Sequence, residues 1–229
     1  MFSFANLYNF TDRRPYWKYF SMDGVFMRKI LKRIGICALV ATILWSVEIV
    51  RDKQNLQSNL IRLHIVAASD SQEDQALKLQ VRDAVVKSLQ ENMKNLNDAA
   101  QAKEYLQKNL SEIELLANRV LQENGCADKT VASLKKESFS TRYYDTFTLP
   151  AGVYEALRIT IGEGNGHNWW CVVFPALCLG TTVAEFEETA HCAGMSDSLT
   201  GTLIGEKNYE VRFLIMDTLG ELENFLHEG

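Results

Sequence analysis

Apolar and polar positions follow three different patterns along the chain. Ile34 to Val47 is a run of fourteen uncharged residues, IGICALVATILWSV. Leu60 to Ala67 reads as a buried strand with Leu63, Ile65 and Ala67 on one face. Ser71, with Asp74 three residues on, fits a capping box and opens a helix to about Glu91. Leu77, Val81, Val85 and Leu89 form its core stripe. Asp98 caps a second helix, with Leu106, Leu110, Ile113, Ala117, Val120 and Leu121 inward and Asn124-Gly125 as its stop. Extended segments follow at Thr130–Leu134, Thr146–Leu149, Tyr154–Ile161 and Trp169–Phe174, with turns at Pro150-Ala-Gly152 and Pro175. Val183–His191 reads as a short helix. Tyr209–Leu226 reads as a last one, with Val211, Ile215, Leu219, Leu222 and Phe225 inward and Gly220 weakening it. The expected fold is α/β (α+β): a two-layer sandwich of a mixed or antiparallel sheet with helices packed mainly on one face.

Charge changes the reading of the N-terminal run. Met27-Arg-Lys-Ile-Leu-Lys-Arg33 precedes it, and Arg51-Asp-Lys53 follows. A basic start before a short apolar run is the layout of a secretory signal. A spanning helix needs about 20 apolar residues. Residues 27–50 are therefore a signal peptide or a short anchor, and the lack of an A-x-A site favours the anchor. The basic side stays in the cytoplasm and residues 60–229 lie outside. The polar, Gln/Asn-rich stretch 51–59 is the expected linker. Residues 1–26 match nothing, and Met27, or Met22, opens a better export signal than Met1. Cys37 reads as a buried thiol.

Beyond residue 33 the chain carries 17 basic and 27 acidic residues. That balance does not suit a phosphate backbone, so no nucleic acid is expected. His64, His167, His191 and His227 are scattered, and Glu188-x-x-His191 falls short of a metal set, so no metal is expected. Gly162-Glu-Gly-Asn-Gly166 leads into a strand pattern without a Lys, which reads as a hairpin connection and not a phosphate loop. Neither cofactor nor small-molecule substrate is implied. Cys171 and Cys178 form a disulfide across Pro175 or remain two buried thiols.

Several segments together resemble one family. They are Ile61-Arg-Leu-His-Ile-Val-Ala-Ala-Ser-Asp-Ser71 with Glu73–Asp83, Thr148–Arg158, and Gly162–Pro175 with its Trp169-Trp170 pair and Cys178 beyond. Phe139-Ser-Thr-Arg142-Tyr143-Tyr144 and Val211-Arg-Phe213 are weaker matches. The chain resembles the stage II sporulation protein R family over about residues 60–175; residues 179–205 are unmatched. The resemblance implies a protein made in the forespore and exported into the space between forespore and mother cell. There it would stimulate a membrane-embedded aspartic protease that processes the sigma-E precursor. The chain lacks an Asp-Thr/Ser-Gly run, since Asp145-Thr-Phe147 and Asp217-Thr-Leu219 break at the third position. The expectation is thus an activator and not the protease.

The candidate partner-binding residues are Arg62, Ser69, Asp70, Arg82, Glu163, His167, Trp169 and Trp170. Trp169 and Trp170 point to opposite faces of a strand, so one enters the core and the other is free to anchor a partner. Arg62, Ser69, Asp70 and Arg82 alternatively form an internal polar network at the strand end. The rival reading is an exported cysteine-dependent hydrolase acting on the cell envelope, with Cys171 as nucleophile and His167 as base.

Overall fold

A computed structural model describes residues 24–96, 98–178, 182–206 and 209–228. The unmatched residues 1–23 lie outside the described residues. Contacts divide the chain into residues 1–46 and residues 47–229. Helix α1 spans Gly24–Asn59, with a mean hydropathy of 1.9 in its most apolar window, long and apolar enough to cross a membrane. Its large apolar side chains from Leu31 to Trp45 are exposed. The N-terminal segment is thus an apolar helix of the kind used as a signal or a membrane anchor.

The linker expected over residues 51–59 is instead the end of α1. Its polar composition hides a helical stripe. Ile49, Lys53, Leu56 and Leu60 recur at helical spacing and are all buried. Lys53 pairs with Glu223, and Asp52 with Arg212, which ties this turn of the helix to both. The globular unit, residues 47–229, therefore includes the end of α1.

The fold of residues 47–229 is mixed α/β, as expected. Strands β1 (Ile61–Val66), β2 (Thr130–Phe139), β5 (Gly152–Ile161) and β6 (Asn168–Phe174) form a sheet in the order β2-β5-β1-β6. The short strands β3 (Arg142–Tyr143) and β4 (Thr148–Leu149) pair apart from it. β1 lies parallel to β5 and antiparallel to β6, with His64 opposite Trp170. Every residue of β1 is buried, because this strand is covered on both faces.

Strand alternation sorts the residues. Leu63, Ile65, Leu157, Ile159, Cys171 and Val173 pack with α2 (Gln72–Met93), α3 (Ala99–Lys108) and α4 (Leu110–Glu123). Ser71 caps α2 and Asp98 caps α3, each accepting a backbone N–H three residues on. The single helix expected from Asp98 onward is two, because Asn109 turns its side chain onto the Tyr105 carbonyl (2.7 Å) and breaks the helix there. Tyr154, Ala156, Trp170 and Val172 face the other way. They meet Ile49 and Leu56 of α1 and three C-terminal helices. These are α5 (Val183–Cys192), α6 (Asp197–Ile204) and α7 (Glu210–Glu228).

α7 does not bury the stripe expected of it. Val211, Leu222 and Phe225 are exposed, whereas Arg212, Met216, Gly220 and Asn224 face inward. Gly220 is the reason: a Cβ there would sit 1.7 Å from the Ala151 carbonyl oxygen. The helix rests on the backbone at the start of β5, and only glycine allows that approach. The Asn224 amide donates to the Phe139 carbonyl (2.8 Å), so a polar residue outside the expected stripe faces inward.

Candidate functional site

Two polar assemblies stand on opposite sides of the sheet, and the pair Trp169-Trp170 reaches into both.

The first is built at the C-terminal end of β1. β5 and β6 flank β1, so Gly162–Gly166 is not a hairpin between neighbouring strands. It passes over the end of β1 as a strap, with Asn165 and Gly166 donating to the carbonyls of Ala68 and Ala67 (3.1 and 3.0 Å). A Cβ on Gly166 would lie 2.2 Å from the Ser69 carbonyl oxygen, so glycine is required. The strap delivers His167 to Asp70, whose carboxylate accepts from the His167 backbone N–H (2.6 Å) and meets its ring Nδ1 (2.5 Å). The His167 hydrogen bonds hold the Asp70 carboxyl below its ordinary value. The Ser69 hydroxyl donates to Asp74 (2.5 Å), which draws that carboxylate away from the reciprocal capping bond expected with Ser71. Lys78 donates to the His167 carbonyl (2.9 Å) and to Gln75 (2.6 Å), and its burial pulls its pKa down. Arg82 lies over Trp169 at 4.9 Å and pairs with Asp83. Glu163 is exposed on the strap. The structure thus brings Ser69, Asp70, Arg82, His167 and Trp169 to one end of the sheet, each with a partner.

Arg62 is not among them. Alternation sends it, with His64, to the opposite face, where Trp170 also points. His64 is held between Glu137 (2.7 Å) and Asn168 (2.9 Å) and stacks on Trp170. Burial pushes the Glu137 carboxyl up, but the His64 hydrogen bond and the charges of Arg158 and Lys135 outweigh it and leave it below its ordinary value. Arg62 is fully buried, its guanidinium 4.0 Å from the Phe139 ring centre and 5.2 Å from that of Tyr154. It makes one hydrogen bond, to the Tyr144 hydroxyl (3.1 Å), and its Nε and Nη1 are buried without a partner. Beside it, Arg142 lies over Trp170 at 3.6 Å, with its Nε also buried and unpartnered. Among the described residues neither guanidinium has an ion pair. Arg142, Tyr143, Tyr144, Asn168, Trp169 and Trp170 line a recess of about 360 Å³, with Cys171, Leu177 and Cys178.

Cys171 and Cys178 are disulfide-bonded, with Cα atoms 5.2 Å apart. Cys171 is buried and its sulfur is committed to Cys178. The His167 ring faces Asp70. The nucleophile and base of the hydrolase reading are therefore not assembled, because a disulfide sulfur is not a thiolate and the strap turns His167 away.

Arg142, Tyr144 and Phe139 were missed as site residues. Their signal was an arginine amid four aromatics in Phe139–Tyr144 and Phe147, and a strand whose polar face, Arg62 and His64, is as buried as its apolar one.

With both assemblies in view, the comparisons place the chain. A sequence model of stage II sporulation protein R matches residues 57–184. The chain belongs to that family. The match includes β1, the strap, both tryptophans and the disulfide, and ends at the start of α5. Stage II sporulation protein R of Bacillus subtilis (strain 168) is 40% identical over 133 residues, which is 56% of this chain and 59% of the relative. The chain thus spans little more than half the length of that relative. Both names are those of a sporulation protein and not of an enzyme. No solved structure matches the chain.

Proposed function

We propose that the chain is an exported, non-enzymatic signalling ligand of endospore formation. Made in the forespore, it acts in the space between the two membranes on a membrane-embedded aspartic protease of the mother cell. Its binding favours the active arrangement of that protease, which then processes the sigma-E precursor. A ligand changes such an equilibrium only by binding one state better than the other. The single observation that carries the reading is membership of the family, in a chain that also has an N-terminal apolar helix. The Cys171–Cys178 disulfide supports it, since such bonds persist outside the reducing cytoplasm.

The test is reconstitution in a non-sporulating cell that also makes the candidate protease and the sigma-E precursor. The full chain should trigger precursor cleavage. A version lacking residues 1–46 keeps the core residues Ile49 and Leu56 but stays in the cytoplasm, and it should not. Cleavage driven equally well by the cytoplasmic version would refute the proposed site of action.

A further inference from the structure

The recess beside Trp170 has a cationic, aromatic lining. Two guanidinium groups stand together there, and among the described residues no carboxylate pairs with either. A buried cation normally has a hydrogen-bonded counter-charge, because desolvation otherwise costs more than packing returns. Arg62 is fully buried and keeps two nitrogens unpartnered; Arg142 keeps one. Other ionic groups of the same face are paired: His64 with Glu137, Arg158 with Glu137, and Arg212 with Asp52. Arg212 also keeps its Nε unpartnered, but it has a carboxylate beside it; among the described residues of this face, Arg62 and Arg142 are the arginines without one. Burial, and then the neighbouring charge of Arg62, draw the Arg142 pKa below its ordinary value, as repulsion between two unneutralised cations would.

The surroundings suit a peptide. The Arg142 guanidinium carbon sits 3.6 Å over the Trp170 ring centre, a contact that restrains the fork that would meet a carboxylate. Arg62 stays beneath, held by Phe139, Tyr154 and the Tyr144 hydroxyl, and adds potential without reaching solvent. Tyr143 stands on the rim with 81% of its surface exposed. Aromatic side chains around an arginine are the composition of a binding hot spot. The Cys171–Cys178 bond ties down the floor.

We infer that the recess at Arg142 binds a carboxylate side chain, Asp or Glu, on an extended segment of the chain's protein partner. Arg142 makes the contact, and Arg62 is a positioning residue that sets the potential. The inference rests on the reading of the chain as a protein-binding ligand.

Fluorescence anisotropy on the full chain in neutral detergent micelles tests it, with labelled hexaglutamate as probe and hexaglutamine as its uncharged control. Hexaglutamate should bind and hexaglutamine should not. Arg142→Gln should weaken hexaglutamate at least tenfold, with Arg142→Lys between it and the parent. Tyr143→Ser, at a rim side chain 81% exposed, should weaken it about threefold. Equal binding by the parent and Arg142→Gln would overturn the inference, as would equal binding of the two peptides. Displacement of the probe by glycerol phosphate at lower concentration than by glutarate would assign the recess to a lipid headgroup, and also overturn it. No protease is present in this assay. Its failure is therefore separate from a failure of the signalling reading, which precursor cleavage reports.

Discussion

The two sides of the sheet treat charge in opposite ways. At the end of β1 the polar groups close on one another: Ser69 on Asp74, Asp70 on His167, Lys78 on the His167 carbonyl. On the Trp170 side, Arg62 and Arg142 are packed on aromatic rings and, among the described residues, have no counter-ion. A closed network explains itself as structure, since each member satisfies another and the strap is held in place. An open one asks for something outside the chain. The side with exposed histidine and glycine loop looks more like a site in the sequence, yet the buried, aromatic side has the unmet chemistry.

This contrast can be attacked in order of expected effect. Removing the disulfide with Cys171→Ser and Cys178→Ser should cost about 2.5 kcal/mol, from the entropy of an eight-residue loop. Thermal unfolding of the oxidised parent and the double variant measures it. His64→Ala should cost of order 1–2 kcal/mol at neutral pH, because it leaves the half-buried Glu137 carboxylate with only the longer contacts to Arg158 and Lys135. That variant also tests the sign of a pH effect. The folded pKa of Glu137 lies below its ordinary 4.5, so its contribution is present above that value and fades as pH falls through the folded pKa. The difference between parent and His64→Ala should therefore shrink on acidification below pH 4.5. Arg62→Met is the smallest: it should change stability by less than about 1 kcal/mol, since it replaces a poorly answered buried charge with an apolar chain of similar length. A loss as large as that of His64→Ala would mean that Arg62 is a structural residue and that the recess is not open.

Much of this was legible in the residues. β1, α2 with its Ser71 cap, β5 and β6 follow from period and from capping chemistry, which act over a few neighbours. The C-terminal region was read less well, because its helices answer to distant partners. α6 is capped by Ser196, whose side chain accepts from the Leu199 N–H, and by Gly205 in the left-handed region, but its short apolar run was not singled out. α7 buries Arg212, Gly220 and Asn224, whose places depend on Asp52, the Ala151 carbonyl and the Phe139 carbonyl. Nothing within the helix announces these. For the same reason residues 51–59 look like a linker until Glu223 and Arg212 are placed beside them. At the site, opposite placement of the two tryptophans followed from strand geometry, whereas the meeting of Arg62 with Arg142 required the path of the chain between β2 and β3.

The account turns on the open recess being the face that signals. Sigma-E precursor cleavage should be measured in cells carrying the protease and either the parent chain or Arg142→Gln, with export and disulfide formation verified for both. The predicted result is an exported, oxidised, folded variant that no longer triggers cleavage. Cleavage at the parent level by that variant would contradict the account.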